Sequence, residues 1–154
     1  MLLEDLFNMP SEKVSALVEH LNQTAGKLGL PFGERTKTFN SRRAQELGLW
    51  AEHLQKGDVF HMKFFEAYFV HGRNLADHDV LIDLAVQSGL SETDAETVLT
   101  TRSFARHVDS HWQEAQKLGI TAVPTFICGF NRVVGAQSYQ VLSELIQAAG
   151  AHKR

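Results

Sequence analysis

The sequence contains one cysteine among its 154 residues, and this scarcity limits the chemistry that the chain can perform alone. Cys128 has no partner for an intramolecular disulfide, so no disulfide framework holds the fold. A reducing compartment suits such a chain. Residues 1–7 also lack the basic start and long apolar core of a signal peptide. We therefore expect a cytoplasmic protein.

Basic excess and long apolar runs are absent as well. Lysine and arginine number 15 against 18 aspartates and glutamates, which gives a net charge of −3 and disfavours nucleic acid as a partner. No apolar run reaches membrane length, so we expect no membrane partner. No glycine-rich phosphate loop follows a predicted strand, and we predict no cofactor.

Histidine is plentiful, but its arrangement does not favour a metal site. His107 and His111 are spaced i, i+4 on a predicted helix, as in some zinc sites. Val108, however, stands where the metalloprotease motif has glutamate. No cysteine cluster adds further ligands. We predict a solvated helix face there and no metal.

Most of the chain carries apolar residues at a period of 3.6, which predicts about seven helices. The predicted helix N-terminal residues or caps are Ser11, Asn40 or Ser41, Asp58, Asp77, Ser91, Ser103 and Ser138. One of these helices carries an aromatic stripe, Phe60, Phe64 and Tyr68, which Phe65 and Phe69 widen. The stripe could line a ligand pocket, but core packing is the commoner explanation. No repeat or long linker divides the chain, so we predict one domain over residues 1–154.

The exception to this helical pattern is residues 119–137, GITAVPTFICGFNRVVGAQ. Residues 123–128 are typical of a short buried strand with proline at its start, where a missing N–H is tolerated. Residues 129–132 predict a turn, and Val133–Val134 a returning strand. The sequence therefore predicts one β-hairpin in a mostly helical chain.

The hairpin motif, Val-Pro-Thr-Phe followed by Val-Gly-Ala-Gln, resembles the C-terminal half of DsbA-family thioredoxin-fold proteins. The likeness is greatest to the FrnE-like disulfide oxidoreductases, which are related to 2-hydroxychromene-2-carboxylate isomerases and kappa-class glutathione transferases. It extends upstream through residues 29–33, 40–45, 67–69 and 74–77. The resemblance implies an α/β, thioredoxin-like fold. Residues 38–118 would be its large helical insertion, and residues 119–150 its C-terminal hairpin and helix.

The chain departs from this family at one decisive place. The family puts its first strands, a Cys-x-x-Cys motif and a helix before the part that matches here, and this sequence begins after them. The resemblance implies thiol–disulfide oxidoreduction, with the dithiol in that preceding segment. We predict a truncated family member that has no catalytic residue of its own and is inactive alone.

The resemblance also implies a substrate site. In thioredoxin-like proteins the proline of this motif is cis, and the residue before it offers its backbone to an extended substrate. The corresponding residues are Val123, Pro124 and Thr125. A thiol- or disulfide-containing peptide would be the partner. An ordinary trans proline at the start of a strand is the alternative interpretation.

Two other functions compete with this one. The strand edge Val123–Cys128 could serve a non-catalytic peptide-binding module or join two copies into a homodimer, since an uncovered edge invites association. The kinship with kappa-class transferases suggests a glutathione-dependent isomerase or transferase, in which Arg35 and Lys37 could present cations to an anionic ligand. Two basic residues in a polar loop are, however, usually just solvated. Cys128 as a lone nucleophile is the weakest hypothesis, because a free cysteine in an apolar strand is usually core filling.

Overall fold

The computed structural model describes residues 1–151, and the chain forms two compact units that divide after Val108. The first unit contains α1 (Leu3–Phe7), α2 (Ser11–Lys27), α3 (Arg42–His53), α4 (Gly57–Phe65), a π-helical turn (Glu66–Val70), α5 (His78–Gln87) and α6 (Glu92–Thr101). Helix α7 (Ala105–Lys117) begins in the first unit and ends in the second. The second unit continues with β1 (Thr125–Cys128), β2 (Asn131–Val134) and α8 (Tyr139–Ala148).

This architecture confirms the predicted fold class, a mostly helical chain with one antiparallel hairpin. The longest of the described helices is α2, with 17 residues. Within residues 1–151, no helix combines the length and the apolar character needed to cross a bilayer.

Local side-chain caps define several helix starts, as the sequence predicts. The Asp77 carboxylate accepts hydrogen bonds from the backbone of Asp79 and Val80 at the start of α5. Ser91 and Ser138 likewise accept one backbone hydrogen bond each, at the starts of α6 and α8. Each such bond satisfies an N–H that the first turn of a helix leaves without a partner.

Other predicted starts were wrong by one or two residues. Ser11 is the first helical residue of α2 rather than its cap, because Pro10 holds the extended backbone that precedes the helix. Asp58 lies inside α4, which begins at Gly57. Ser103 precedes α7 by two residues, since the chain first makes a turn after α6.

The core of the first unit is built from α3, the α4–π segment, α5 and α6. Phe60 and Trp50 are its large aromatic members, so the predicted aromatic stripe is partly core, as expected. Phe65 at the edge of that stripe is half exposed. The buried members of the cluster are Ala44, Leu47, Trp50, Ala51, Phe60, Ala67, Leu75, Leu81, Leu84, Ala85, Leu90, Ala95, Val98 and Leu99.

Helix α2 has a predicted apolar face that the fold leaves largely uncovered. Val14 is buried, but Leu17 and Leu21 retain 47% and 50% exposure. Among the described elements, α2 makes its main packing contact with the short helix α1. Its apolar face is therefore available to a ligand or partner.

In the second unit, β1 and β2 pair from Thr125↔Val134 to Cys128↔Asn131. The strand thus begins two residues later than predicted, and the turn has two residues rather than four. Gly129 opens that turn with φ of 59°, a conformation that glycine adopts without steric cost and that two-residue hairpin loops require.

Candidate peptide-docking edge

The predicted substrate-binding residues lie at the start of β1. Val123 and Pro124 precede the strand, Thr125 is its first residue, and the Val123–Pro124 peptide bond is cis. The Gly135 N–H donates a 2.8 Å hydrogen bond to the Pro124 carbonyl. The Thr125 hydroxyl donates one of 2.7 Å to the Ala122 carbonyl. The first bond anchors the segment to the residue that follows β2, and the second is a local bond within the segment itself.

The opposite edge of β1 is open. Backbone groups of an antiparallel strand point alternately to one neighbour and the other. Because Pro124 bonds toward β2 and Cys128 closes the two-residue turn with Asn131, Thr125 and Ile127 direct their N–H and C=O groups outward. The sheet has two strands, and within residues 1–151 no backbone hydrogen bond is made across this outer edge. An extended peptide could pair there as a third strand.

Apolar side chains accompany the open edge. Val123 is 87% exposed, and Phe126, Ile127 and Phe130 are also exposed. Removing this apolar surface from water favours association. The edge therefore offers both main-chain hydrogen bonds and apolar area to a partner.

Cys128 is the only thiol, and it lies at the far end of β1 from Pro124. Cys128 is four positions after Pro124 along an extended strand, a distance of about 13 Å. Cys128 pairs with Asn131 beside the turn and is partly buried. Its position thus differs from that of a nucleophile placed next to a docked peptide.

The two histidines considered as metal ligands, His107 and His111, are exposed on α7. Within the described part of the chain, no group of three or more histidine, cysteine, aspartate and glutamate side chains is arranged to hold a metal ion.

A buried ion-pair network is the main feature that sequence reasoning missed. Glu46 in α3 is fully buried and accepts hydrogen bonds from Arg102 Nε at 2.7 Å, Arg102 Nη2 at 2.6 Å and Arg42 Nε at 3.2 Å. Arg42 also donates to the Ala105 carbonyl. The Arg102 hydrogen bonds and charge, with those of Arg42, hold the pKa of Glu46 below its ordinary value against the opposing effect of burial. The i, i+4 spacing of Arg42 and Glu46 was the one signal visible in the sequence.

A family model describing the DSBA-like thioredoxin domain matches residues 4–147 of the chain. Among curated relatives, the uncharacterized protein YwbO of Bacillus subtilis is 34% identical over 101 residues, which are 63% of this chain and 49% of that protein. The chain thus spans about half the length of this curated relative.

Two solved structures share the fold. The probable DsbA oxidoreductase SCO1869 of Streptomyces coelicolor is 25% identical with a TM-score of 0.86, covering 99% of this chain and 67% of that one. A Nitrosomonas europaea protein, provisionally assigned as a protein disulfide isomerase, is 18% identical with a TM-score of 0.69 and covers 91% and 74% of the two chains. Together with the match over residues 4–147, this likeness shows that the chain belongs to the DSBA-like thioredoxin domain family.

Proposed function

We propose that this chain is the substrate-docking part of a DsbA-like thiol–disulfide oxidoreductase. Val123, Pro124 and Thr125, with Ile127 further along the same edge, would hold a thiol- or disulfide-containing peptide as an added strand. The observation that carries the proposal is the open outer edge of β1. Membership of the DSBA-like family and the likeness to SCO1869 support the redox context.

The chain alone does not complete an exchange cycle. A protein dithiol attacks a disulfide through one thiolate and releases the mixed disulfide through a second thiol. Cys128 is the only cysteine, so a second thiol has to come from outside these 154 residues. In an insulin-reduction assay the chain alone should show no turnover above the dithiothreitol background. Supplying a strand–Cys-x-x-Cys–helix segment, fused or in trans, should create turnover, and continued inactivity would refute the redox part of the proposal.

Docking is tested separately from turnover by fluorescence anisotropy with a labelled, unfolded, cysteine-containing peptide. We expect saturable binding. Ile127→Pro removes an outward N–H but leaves the bonds toward β2, and proline is tolerated on an edge strand. It should weaken binding at least about fivefold, the effect of one main-chain hydrogen bond.

Ile127→Val is the matched control, because it keeps the N–H and most of the apolar side chain. It should bind like the wild type. Circular dichroism should show that both variants keep the helical content of the parent. Equal peptide affinity in Ile127→Pro and Ile127→Val would remove the outer edge of β1 as the docking site.

A homodimer through the same edge is the second candidate, favoured by the exposed apolar side chains Phe126 and Ile127. It would use β1 of each copy as the added strand of the other. Sedimentation at micromolar concentration should then give twice the chain mass, and Ile127→Pro should return the mass to one chain. A wild-type mass of one chain at micromolar concentration would exclude the homodimer.

A further inference from the structure

The first unit contains an apolar groove between α1 and α2, with a volume of about 280 Å³. Leu6, Phe7, Leu17 and Leu21 are among the side chains that line it, and all four are exposed. The polar residues of the lining are His20, Arg35 and Thr38. The groove is therefore a mostly hydrocarbon surface with one arginine among its lining residues.

Arg35 is held in place without a carboxylate. Its guanidinium carbon lies 4.4 Å from the ring centre of Tyr68 and 4.9 Å from that of Phe69. Arg35 Nη2 donates a 2.5 Å hydrogen bond to the Tyr68 hydroxyl, which in turn donates to Thr38 Oγ1 at 3.3 Å. Within residues 1–151 no acidic side chain pairs with Arg35. The aromatic faces fix the cation and leave its charge unneutralised by an ion pair.

The backbone of the loop before Arg35 lies very close to the backbone of the π-helical turn. Tyr68 and Phe69 belong to the π-helical turn, a rare element that is frequent at functional sites. The Gly33 N–H donates a 2.8 Å hydrogen bond to the Phe69 carbonyl. A Cβ atom at Gly33 would lie only 2.1 Å from the Val70 carbonyl oxygen, so only glycine allows this approach. The loop that carries Arg35 is therefore clamped to the turn that carries its aromatic partners.

A smaller pocket of about 100 Å³ adjoins the same residue. Its lining residues include Arg35, Lys37, Tyr68, Phe39 and Glu34. Arg35 thus lines both this pocket and the apolar groove. A ligand with a hydrocarbon body and an anionic end matches this arrangement of surfaces.

We propose that the α1–α2 groove binds a small amphipathic carboxylate, whose hydrocarbon part packs on Leu17 and Leu21 and whose carboxylate meets Arg35. Charge complementarity selects this class, because a guanidinium binds a carboxylate through paired, charge-assisted hydrogen bonds. The site lies in the first unit, whereas the docking edge lies in the second, so the two proposals succeed or fail separately.

The test is isothermal titration of the full chain with decanoate, below the micelle concentration of decanoate, at neutral pH. We expect one saturable site, with decanol at least about tenfold weaker because it lacks the charge. Arg35→Gln should lose a similar factor for decanoate and leave the weak binding of decanol unchanged.

Arg43→Gln is the matched control, since it removes one positive charge from the same unit at a residue that lines a different pocket. It should bind decanoate like the wild type. Leu17→Ser changes an exposed apolar residue of the groove and should weaken decanoate and decanol alike. Thermal melts identify any variant that has lost its fold, and Arg35→Lys then serves as a second test that retains the charge but not the paired geometry.

Three results would overturn the proposal. They are the absence of decanoate binding, equal affinity for decanol, and undiminished decanoate binding by folded Arg35→Gln. A dimer that Leu17→Ser dissociates, without decanoate binding, would assign the groove to a second copy of the chain instead.

Discussion

Replacing Glu46 by glutamine removes the carboxylate that joins α3 to the end of α6. The residue is fully buried and receives three hydrogen bonds from Arg42 and Arg102. Glutamine keeps the shape and one acceptor oxygen, but its NH₂ group faces arginine donors. The substitution therefore tests the charge of the network more than its volume.

The size of the expected stability loss follows from the exposure of the two arginines that contact Glu46. Removing one member of a buried ion pair costs about 3–5 kcal/mol when the other charge is left without water. The Arg42 and Arg102 side chains are 19% and 40% exposed, so water can partly replace the lost acceptor. We expect a loss of about 2–3 kcal/mol in the free energy of unfolding, a large part of the usual total of about 5–15 kcal/mol.

Urea unfolding followed by circular dichroism measures this loss, which should move the midpoint by about 1 M or more. The control is Glu52→Gln in the same helix. Glu52 is half exposed and lies 3.5 Å from His61, an arrangement that contributes less than about 1 kcal/mol. A double-mutant cycle with Arg102→Gln should give a coupling energy of about 1–3 kcal/mol.

The stabilisation that the Glu46 carboxylate contributes should decrease in acid. Because the pKa of Glu46 in the folded chain lies below its ordinary value of 4.5, the stabilisation is fully present above pH 4.5. It is lost as the pH falls through the folded-state pKa. The difference between wild type and Glu46→Gln should therefore shrink below pH 4.5. A difference below about 0.5 kcal/mol at pH 7, or one that grows in acid, would refute the role assigned to the network.

Three further predictions concern single positions. Gly33→Ala should lower the melting temperature by several degrees, because the new Cβ would meet the Val70 carbonyl. Gly26→Ala in α2 is the control: its Cβ meets no atom within 4 Å, and it should raise stability by up to about 1 kcal/mol. Equal effects of the two substitutions would contradict the close fit at Gly33. Ser91→Ala should lower the free energy of unfolding, measured in urea, by about 1 kcal/mol, since it removes the cap of α6. An unchanged free energy would mean that the cap does not stabilise the fold. Cys128→Ser should leave peptide affinity in the anisotropy assay unchanged. A loss of binding would show that the Cys128 thiol takes part in docking.

Features fixed by neighbouring residues could be predicted from the sequence. The β-hairpin follows from a β-branched and aromatic run with glycine in the turn, and the caps at Asp77, Ser91 and Ser138 depend on backbone groups two or three residues away. The family resemblance drew on several such segments in order, and the match over residues 4–147 confirmed it.

Features that depend on distant residues could not be predicted. Glu46 is buried because Arg102, 56 residues further on, satisfies it. The sequence placed Arg35 in a polar loop and Tyr68 in an aromatic stripe, but their stacking joins residues 33 positions apart. Neither pairing leaves a pattern within one helix or one turn.

The exposed face of α2 shows a different limit. Its spacing predicts an amphipathic helix correctly, but the same spacing does not say which element covers the apolar side. Leu17 and Leu21 are exposed because the described residues supply only α1 as its main neighbour.

Amide hydrogen exchange, measured by NMR on the full chain, shows whether an extended peptide pairs with the outer edge of β1. Saturation with an unfolded, cysteine-containing peptide should slow exchange at the amides of Thr125 and Ile127, which point away from β2. The amides of Phe126 and Val133, already paired inside the hairpin, should change little. Unchanged exchange at both Thr125 and Ile127 under saturating peptide would show that the peptide does not pair with this edge.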